Sequence, residues 1–331
     1  MTKIPVLVTG GAGYIGSHAV LALNDAGWPV AVIDDLSNGS RSVVPEGVPF
    51  FEGSIADRAL VERIVSDQGI RAIMHFAGSI VVPESVVNPI EYYRNNTVAT
   101  HALIAAAVAA GVPHILFSST AAVYGAPERV PVAEDDPKLP INPYGASKLM
   151  TERMLEDCAA AYPFNYGALR YFNVAGADPQ GRSGQMGKGA THLIKVAVEA
   201  AVGKRDRVAV FGTDYATADG TCIRDYIHVS DLAAAHVAAL EQLIAEPARN
   251  LVMNCGYGTG LSVLEVLDAV DRAAGQPLKR EMGPRRAGDP PALVAANARI
   301  LETIDWRPVN DDIDTIVGHA LAWERGLIEQ G

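Results

Sequence analysis

The clearest structural signal in this chain is the stretch VLVTGGAGYIG, which covers residues 6–16. Its first residues are apolar and β-branched, which is typical of a buried strand. The glycines that follow, Gly10, Gly13 and Gly16, are spaced G-x-x-G-x-x-G. Gly10 permits a tight turn, Gly13 lets the backbone approach a pyrophosphate, and Gly16 lets a helix pack close to the strand. The stretch therefore predicts a strand, a phosphate-binding turn and a helix whose N-terminal N–H groups face the phosphate.

An acidic residue ends the next apolar run, Val30–Ile33. A carboxylate at this position, Asp34, can accept both ribose hydroxyls of a dinucleotide, and its charge repels a 2′-phosphate. Its neighbour Asp35 is expected to point the other way, because side chains alternate along a strand. The glycine turn and Asp34 together predict a site for NAD rather than NADP.

Short apolar runs alternate with longer helical patterns along most of the chain. Strands that are buried on both faces appear in sequence as continuous apolar runs, and their alternation with helices is typical of a parallel sheet. The predicted strands are Pro5–Val8, Val30–Ile33, Phe50–Phe51, Ala72–Phe76, His114–Phe117, Gly167–Arg170 and Leu251–Asn254. The predicted fold class is therefore α/β, a doubly wound parallel (Rossmann) sheet with a smaller C-terminal domain.

The same runs predict the domain boundaries. Residues 1–172 are expected to form the NAD-binding domain, and residues 222–255 to return to its sheet. Residues 173–221 and 256–331 are less regular, and they are expected to form the smaller domain over the carboxyl ends of the strands, where ligands of such sheets bind. Residues 178–189 are rich in glycine and predict a long loop.

Composition limits the classes of partner. The chain has 331 residues, 49% of them hydrophobic, and a net charge of −11, so a nucleic-acid partner is not expected. The longest apolar run, near residues 102–111, is too short to cross a membrane. The N-terminus leads directly into a strand, which predicts a protein without a signal peptide. Cys158, Cys222 and Cys255 lack the spacing of metal ligands, so no metal is expected. We expect all three to be reduced thiols in a cytoplasmic protein.

Tyr144 and Lys148 predict proton transfer. Residues four apart lie on one face of a helix, so an ammonium is expected near a phenol. That ammonium favours the phenolate and so predicts a lowered tyrosine pKa, which would let Tyr144 take a proton from a substrate hydroxyl. The hydroxyl of Thr120, at the end of another predicted strand, can share that hydrogen bond.

Further motifs follow in a fixed order. They are TGGAGYIGSH (Thr9–His18), DDLSNG (Asp34–Gly39), HFAG (His75–Gly78), EYYRNN (Glu91–Asn96), SSTAAVYG (Ser118–Gly125), YGASK (Tyr144–Lys148), RYFNVAG (Arg170–Gly176), DGTCIRDYIHVSDL (Asp219–Leu232) and PRRAGD (Pro284–Asp289). The set covers the chain from end to end. It resembles the extended short-chain dehydrogenase/reductase family and, within it, the UDP-glucose 4-epimerase family.

The resemblance implies an activity and partners. It implies an NAD-dependent isomerase that interconverts UDP-glucose and UDP-galactose, inverting C4 by transient oxidation to a 4-keto sugar with tightly bound NAD. The expected partner is a UDP-hexose, held mainly by the smaller domain. The family's helices equivalent to those near residues 97–110 and 148–161 pair across a two-fold axis, which implies a homodimer.

By position, the resemblance also implies roles for single residues. The catalytic residues would be Thr120, Tyr144 and Lys148. The NAD contacts would be Gly10, Gly13, Tyr14, Ile15, Gly16, Asp34, Asn38, Ser54, Ile55, Phe76, Ala77, Gly78, Asn95, Ser118, Tyr144, Lys148 and Tyr171. The UDP-sugar contacts would be Thr120, Tyr144, Asn173, Leu193, Phe211, Arg224, Tyr226, Arg286 and Asp289. Among these, Arg224 and Arg286 have the fork geometry that chelates a diphosphate.

Single residues distinguish the epimerase from other activities of related proteins. A dehydratase would need an acid pair directly after Thr120, where this chain has Ala121 and Ala122. A net dehydrogenase would need a thiol in the site, and Cys158 lies beyond Lys148 on the same predicted helix. A non-catalytic NAD-sensing protein would not need the Thr, Tyr and Lys together.

The preferred sugar is left open by the sequence. Epimerases for UDP-N-acetylglucosamine or for a pentose such as UDP-xylose use the same chemistry. Leu293 stands at a family position whose bulk influences the room around the sugar C2 substituent, and leucine is intermediate in size. Ile80 stands where some relatives carry a lysine near the NAD.

Overall fold

The fold is built on a parallel sheet with helices on both faces. The structure, a computed structural model, describes residues 2–186, 191–286 and 289–329. The strands are β1 (Val6–Thr9), β2 (Val30–Asp34), β3 (Phe50–Glu52), β4 (Ala72–His75), β5 (His114–Thr120), β6 (Asn165–Tyr171), β7 (Asn173–Ala175), β8 (Val208–Phe211), β9 (Ile223–His228), β10 (Leu251–Cys255), β11 (Gly260–Ser262), β12 (Arg280–Gly283) and β13 (Ala292–Leu293).

Helices connect most of these strands. They are α1 (Tyr14–Asp25), α2 (Arg58–Gln68), α3 (Val82–Val87), α4 (Pro89–Tyr92), α5 (Ala99–Ala109), α6 (Pro143–Ala161), α7 (Leu193–Ala201), α8 (Val229–Ala245), α9 (Val263–Ala274), α10 (Ala298–Thr303) and α11 (Ile313–Glu329). Single turns of 3₁₀ helix cover Arg41–Val43 and Ala121–Tyr124, and a π-helical turn covers Tyr93–Val98.

The main sheet has seven strands in the order β10-β6-β5-β4-β1-β2-β3. Every neighbouring pair is parallel. The chain runs outward from β1 to β3 and then crosses back to β4 on the other side of β1. Ligands of such sheets bind in the crevice at this reversal, outside the carboxyl ends of the strands. The predicted α/β doubly wound fold is confirmed, and all seven predicted strands lie in this sheet with ends shifted by a few residues.

Two apolar layers cover the sheet. On one face, α1 and α8 bury residues such as Leu23 and Leu243 against Val8. On the other face, α2, α5 and α6 bury residues that include Ile64 and Leu103. Strands enclosed in this way have no polar face, which explains their continuous apolar sequences.

A second, smaller set of strands follows the carboxyl ends of the main sheet. β9 pairs with β7 and β13 in parallel and with β11 antiparallel, while β8 pairs with β12. Helices α7, α9 and α11 pack around a core of their own in this region. The segment 222–255 is therefore divided: β9 lies in the smaller sheet, whereas α8 packs on the main sheet and β10 is its edge strand.

The predicted loop at 178–189 is described up to residue 186. It is held by Asp178, which accepts hydrogen bonds from the backbone and side chain of Arg182. Residues 187–189 lie outside the described part of the chain. Among the described residues no helix is long and apolar enough to cross a membrane. Within the same residues no cluster of histidine, cysteine, aspartate and glutamate could hold a metal ion.

Candidate active site

The glycine turn joins β1 to α1 in the way that the sequence predicts. Gly10 has a φ of +70°, and a Cβ there would lie 2.6 Å from the backbone nitrogen of Ala77. A Cβ on Gly16 would lie 2.1 Å from the carbonyl oxygen of Gly10. Larger residues at either position would push the turn away from the helix or from β4. Gly13 is the N-cap of α1, and it leaves the first N–H groups of that helix facing the crevice.

Asp34 is fixed beside this turn at the carboxyl end of β2. Its carboxylate accepts a hydrogen bond from the Ala12 N–H at 2.9 Å and one from the Leu36 N–H at 2.8 Å. Burial raises the pKa of Asp34, and these two N–H groups oppose that rise. Asp35 instead accepts hydrogen bonds from Ser37 at the exposed surface. The prediction that the side chains of Asp34 and Asp35 point in different directions is confirmed.

The residues of this edge fit a bound NAD. The turn has no side chains where a diphosphate would approach, and its helix supplies N–H donors and the positive end of a dipole. The carboxylate of Asp34 still has lone pairs for a ribose diol beyond the two that the backbone occupies. The donors and acceptors of the site therefore match the chemical groups of the dinucleotide.

The chain after β4 forms the next wall of the crevice. Gly78 has a φ of +155°, and its missing side chain leaves room for the Asn96 amide, which lies 3.0 Å from an ideal Cβ. Asn96 accepts from the Ser79 N–H at 2.7 Å and donates to the Ser79 carbonyl at 2.9 Å. It also donates to Ser147 on α6, and Asn95 donates to the Ser79 hydroxyl. The π-helical turn thus presents two consecutive asparagines to one loop.

Asn96 was not among the predicted site residues, although its neighbour Asn95 was. The motif EYYRNN contains both, but their different partners depend on the π-helical turn, which has no signal in the sequence. Turns of this kind are often found at functional sites.

The predicted catalytic residues come together where β5, β6 and α6 meet. Helix α6 begins at Pro143, and the Asn142 side chain accepts from the Gly145 N–H at 2.8 Å. This cap sets the first turn, which carries Tyr144. One turn further on, Lys148 donates from Nζ to the Ser118 carbonyl at 3.2 Å.

All members of this group are buried. Tyr144, Lys148, Thr120 and Tyr171 have exposed fractions below one tenth. The hydroxyl groups of Thr120 and Tyr171 interact with the phenol of Tyr144. The group can therefore exchange a proton with a ligand in the crevice, sheltered from bulk water.

The predicted low pKa of Tyr144 is wrong for the chain on its own. Burial raises the pKa of Tyr144 well above 10, and the neighbouring Tyr171 raises it further, while the Thr120 hydroxyl lowers it. Burial also lowers the pKa of Lys148 to about 8. Removal from water disfavours both charged forms, and this effect is larger than the attraction between a phenolate and an ammonium.

Four of the predicted substrate residues, three charged and one aromatic, form a cluster beside strands β8 and β9. Arg224 on β9 lies 3.5 Å from Asp289, and Arg286 lies 2.9 Å from the same carboxylate. The Arg286 guanidinium also covers the ring of Phe211 at 4.8 Å. Both arginines that are predicted to chelate a diphosphate therefore share one carboxylate as their counter-ion.

Three of the other predicted substrate residues, Asn173, Leu193 and Tyr226, line a neighbouring cleft. Asn173 lies opposite Tyr226 in the register of β7 and β9, and Leu193 begins α7 at the same cleft. Tyr14 reaches the cleft from α1 and donates from its hydroxyl to the Gly176 carbonyl at 2.8 Å. The cleft thus lies between the start of α1 and the elements β7, β9 and α7, whereas Tyr144 and Lys148 do not line it.

The remaining predicted cofactor contacts lie around the crevice at different depths. Asn38 and Ser54 are exposed in the loops after β2 and β3, whereas Ile55 is buried. Ile15, Phe76 and Ala77 are half-buried along the edge of the glycine turn and the loop after β4. Leu293 lies opposite Arg224 in the register of β13 and β9 and packs against a small core that includes Phe172.

A Rossmann sheet with a glycine turn, an acidic end to its second strand and a buried Tyr–Lys pair defines an enzyme of the short-chain dehydrogenase/reductase type. Comparison with known proteins identifies the family. Residues 6–256 match the NAD dependent epimerase/dehydratase family. The chain belongs to this family, and its cofactor is NAD.

Relatives and solved structures agree over nearly the whole length. A UDP-glucose 4-epimerase of Azospirillum brasilense is 58% identical over 322 residues, which cover 97% of this chain and 92% of the relative. The UDP-glucose 4-epimerase of Brucella ovis, solved in complex with NAD, is 45% identical with a TM-score of 0.93 and coverage of 97% and 98%. The enzyme from Stenotrophomonas maltophila, solved with NAD and formylated UDP-arabinopyranose, is 36% identical with a TM-score of 0.96 and coverage of 99% and 100%.

Proposed function

We propose that this chain is a UDP-sugar 4-epimerase that interconverts UDP-glucose and UDP-galactose. The observation that carries the proposal is the buried group of Thr120, Tyr144 and Lys148 at the carboxyl edge of the sheet, next to the glycine turn. The family and the names of its relatives support the same reaction. When bound, NAD would supply a hydride acceptor and donor together with a positively charged ring.

Tyr144 would move the proton of the reaction. Its phenol oxygen takes the proton of the sugar C4 hydroxyl and later returns a proton to the same oxygen, so the net proton balance is zero. Because burial raises the pKa of Tyr144, the phenol is protonated in the chain alone and must be assisted in becoming a base. The Lys148 ammonium and the Thr120 hydroxyl favour the phenolate, by charge and by hydrogen bonding.

The smaller domain would hold the nucleotide and leave the sugar free. Arg224 and Arg286 share Asp289, and the negative charges of a diphosphate would compete for the same two guanidinium groups. The half-buried side chains of Asn173 and Leu193, the exposed ring of Phe211 and the buried ring of Tyr226 would surround the remaining parts of the ligand. A firm grip on the diphosphate and a loose grip on the sugar allow the sugar to turn, so that either face of C4 can be reached.

Two further features belong to the proposal. The chain would act as a homodimer that pairs through α5 and α6, since Val98 at the start of α5 and Met150 on α6 are 62% and 45% exposed. It would work in the cytoplasm, because Cys158, Cys222 and Cys255 are free thiols and such thiols persist in a reducing compartment.

The test is product analysis with separate substrates. Purified protein is incubated with UDP-galactose, UDP-N-acetylgalactosamine or UDP-arabinopyranose, and the products are resolved by chromatography. We expect UDP-galactose to give UDP-glucose without an added electron acceptor. Conversion of the N-acetylated sugar alone would replace the hexose by that substrate, and no conversion of any of the three would refute the epimerase assignment.

A further inference from the structure

A buried ion pair lies directly behind the proposed catalytic residues. The side chains of Arg170 and Glu152 are 4% and 7% exposed, and Arg170 Nη2 donates to Glu152 Oε2 at 2.6 Å. Arg170 Nε donates to the other carboxylate oxygen at 2.9 Å, which makes the contact bidentate. Buried charges destabilise a fold unless they are well paired. The proton transfer described above makes no use of this pair.

The pair connects the three elements that carry the catalytic group. Glu152 follows Lys148 by four residues on α6, so the two lie on the same face of the helix. Ser119, between Ser118 and Thr120 on β5, donates to Glu152 Oε1 at 2.5 Å. Arg170 is the residue before Tyr171 on β6.

The far side of the pair is anchored as well. Arg170 Nη1 donates to the Tyr124 hydroxyl at 2.8 Å and to the Glu134 carbonyl at 3.0 Å. The Tyr124 hydroxyl donates in turn to the Asn254 side chain on β10 at 2.7 Å. The arginine is therefore held by partners on both sides, and its position is fixed.

We infer that Glu152 and Arg170 are positioning residues. They hold β5, β6 and α6 together so that Thr120, Tyr144 and Tyr171 meet. As a neutral pair they also add no net charge beside Tyr144. The inference rests on the proposed function. A carboxylate alone behind Tyr144 would oppose the phenolate and an arginine alone would favour it, so the neutral pair leaves Lys148 as the chain's own charge that acts on the phenol.

Few other titratable groups act on these residues. Tyr171 and Tyr92 act on Tyr144 from β6 and α4, and Lys148 lies one turn away on α6 itself. Around the ion pair lie Tyr124, Tyr166 and Glu134, and Glu156 and Arg153 also act on Tyr166. Of these groups only Arg153 changes in the variants below, and it changes in the control.

Glu152→Gln tests the charge. Glutamine keeps the shape, and its amide oxygen in the place of Oε1 can still accept from Ser119 and from Arg170 Nε. Its NH2 group cannot accept from Arg170 Nη2, so the arginine stays charged and loses one acceptor. We expect the phenol of Tyr144 to ionise at lower pH in this variant, because an unbalanced positive charge favours the phenolate. The readout is the ultraviolet absorbance of tyrosinate in the NAD-loaded protein, with the matching Tyr144→Phe protein subtracted. The acid limb of kcat against pH should move in the same direction. A titration that stays in place or moves to higher pH would overturn the assignment of charge balance.

Ser119→Ala tests the position and leaves the buried pair intact, so that the fold is retained. A small misplacement of reacting groups can cost about 10²-fold in rate, and we expect kcat to fall by about 10-fold to 10²-fold. KM for UDP-galactose should be unchanged, because the residues proposed to bind the diphosphate lie in the smaller domain. Parental kcat in this variant would overturn the positioning role.

A matched control is the surface neighbour Arg153→Gln on the outer side of α6, where the side chain is 69% exposed. It should behave as the parent in both assays. If the parent converts no UDP-sugar, the proposed function fails, while the tyrosinate titration still tests the ion pair. If the parent is active and both site variants match it, only the inference fails.

Discussion

Burial opposes the ionisation of Tyr144 in the free chain more strongly than its neighbours favour it. Burial raises the pKa of its phenol, and the ammonium of Lys148 is directed at the Ser118 carbonyl. A tyrosine in this environment holds its proton until positive charge and hydrogen bonds are added. The arrangement therefore makes ionisation of Tyr144 depend on a filled site.

Tyr144→Phe should remove activity and leave the fold intact. The variant keeps the ring and its packing and loses the oxygen that carries the proton. We expect turnover of UDP-galactose to fall by ~10²–10⁴-fold, the usual effect of losing a general acid–base group. Circular dichroism and the NAD content of the purified protein should match the parent.

Two variants of Thr120 show how much of the rate depends on its hydroxyl group. Thr120→Ser keeps the hydroxyl and should be nearly silent, whereas Thr120→Val should lower the rate by less than Tyr144→Phe. Near-normal turnover in Tyr144→Phe would show that another group is the base, and the Thr120 hydroxyl would be the next to test.

At the scale of elements, helix α6 carries the largest share of the proposed chemistry. Its N-cap, first turn and second turn present Asn142, Tyr144 and Lys148 in succession. The cap is well formed, with a proline at the first helical position and a side-chain oxygen that accepts from the Gly145 N–H.

Asn142→Ala should weaken both the helix and the active site. Loss of an N-cap side chain costs about 1 kcal/mol of stability, and a frayed first turn would move Tyr144. Urea unfolding should show a lower midpoint, and kcat should fall. Asn142→Asp, which keeps an acceptor, should restore most of both properties. An unchanged midpoint in Asn142→Ala would mean that the cap contributes nothing to stability.

The sequence was sufficient to predict the main sheet because its strands are enclosed on both faces. Strand β9, in contrast, carries Arg224, Asp225 and His228 in six residues, and such a mixed sequence has no periodic signal. The short strands β11 and β13 are two or three residues long and are defined by their partners alone.

The candidate site was predictable to different degrees. Tyr144 and Lys148 are four residues apart, so helical geometry alone predicts that they share a face. Arg224 and Asp289 are separated by 65 positions, and only the family resemblance placed them in one site. The raised pKa of Tyr144 could not be foreseen, because it depends on the depth of burial.

For the molecule as a whole, buried histidines set its response to acid. His18, His75, His228 and His236 are nearly inaccessible, and burial lowers their pKa values to about 4, 3, 4 and 4. An unfolded histidine has a pKa of about 6.5. Below that pH the unfolded chain binds protons that the folded chain does not, so stability falls as the pH falls.

We therefore expect a lower free energy of unfolding at about pH 5 than at about pH 7.5. Urea titrations at the two values measure it. His236 donates from Nδ1 to the Leu232 carbonyl, and glutamine can replace that donor. His236→Gln should lose less stability on acidification than the parent. Equal stability of the parent at both pH values would contradict the role of these histidines.

The oligomeric state is the other property of the whole molecule. Val98→Glu would introduce a charge into the proposed α5–α6 interface, and we expect a dimer in the parent and a monomer in the variant by light scattering. Val309→Glu is the control, since Val309 is 79% exposed at a distant position in the sequence. A monomeric parent at micromolar concentration would refute the dimer.

The most direct test of the central claim follows the hydrogen at C4 of the sugar. UDP-galactose carrying deuterium at C4 is converted by the purified protein in ordinary water, with unlabelled NAD added to the solution. We expect UDP-glucose with the deuterium retained at C4, because the hydrogen that leaves this carbon returns to it within one turnover. UDP-glucose that carries ordinary hydrogen at C4 would contradict the proposed hydride return, as would release of an oxidised sugar together with reduced cofactor.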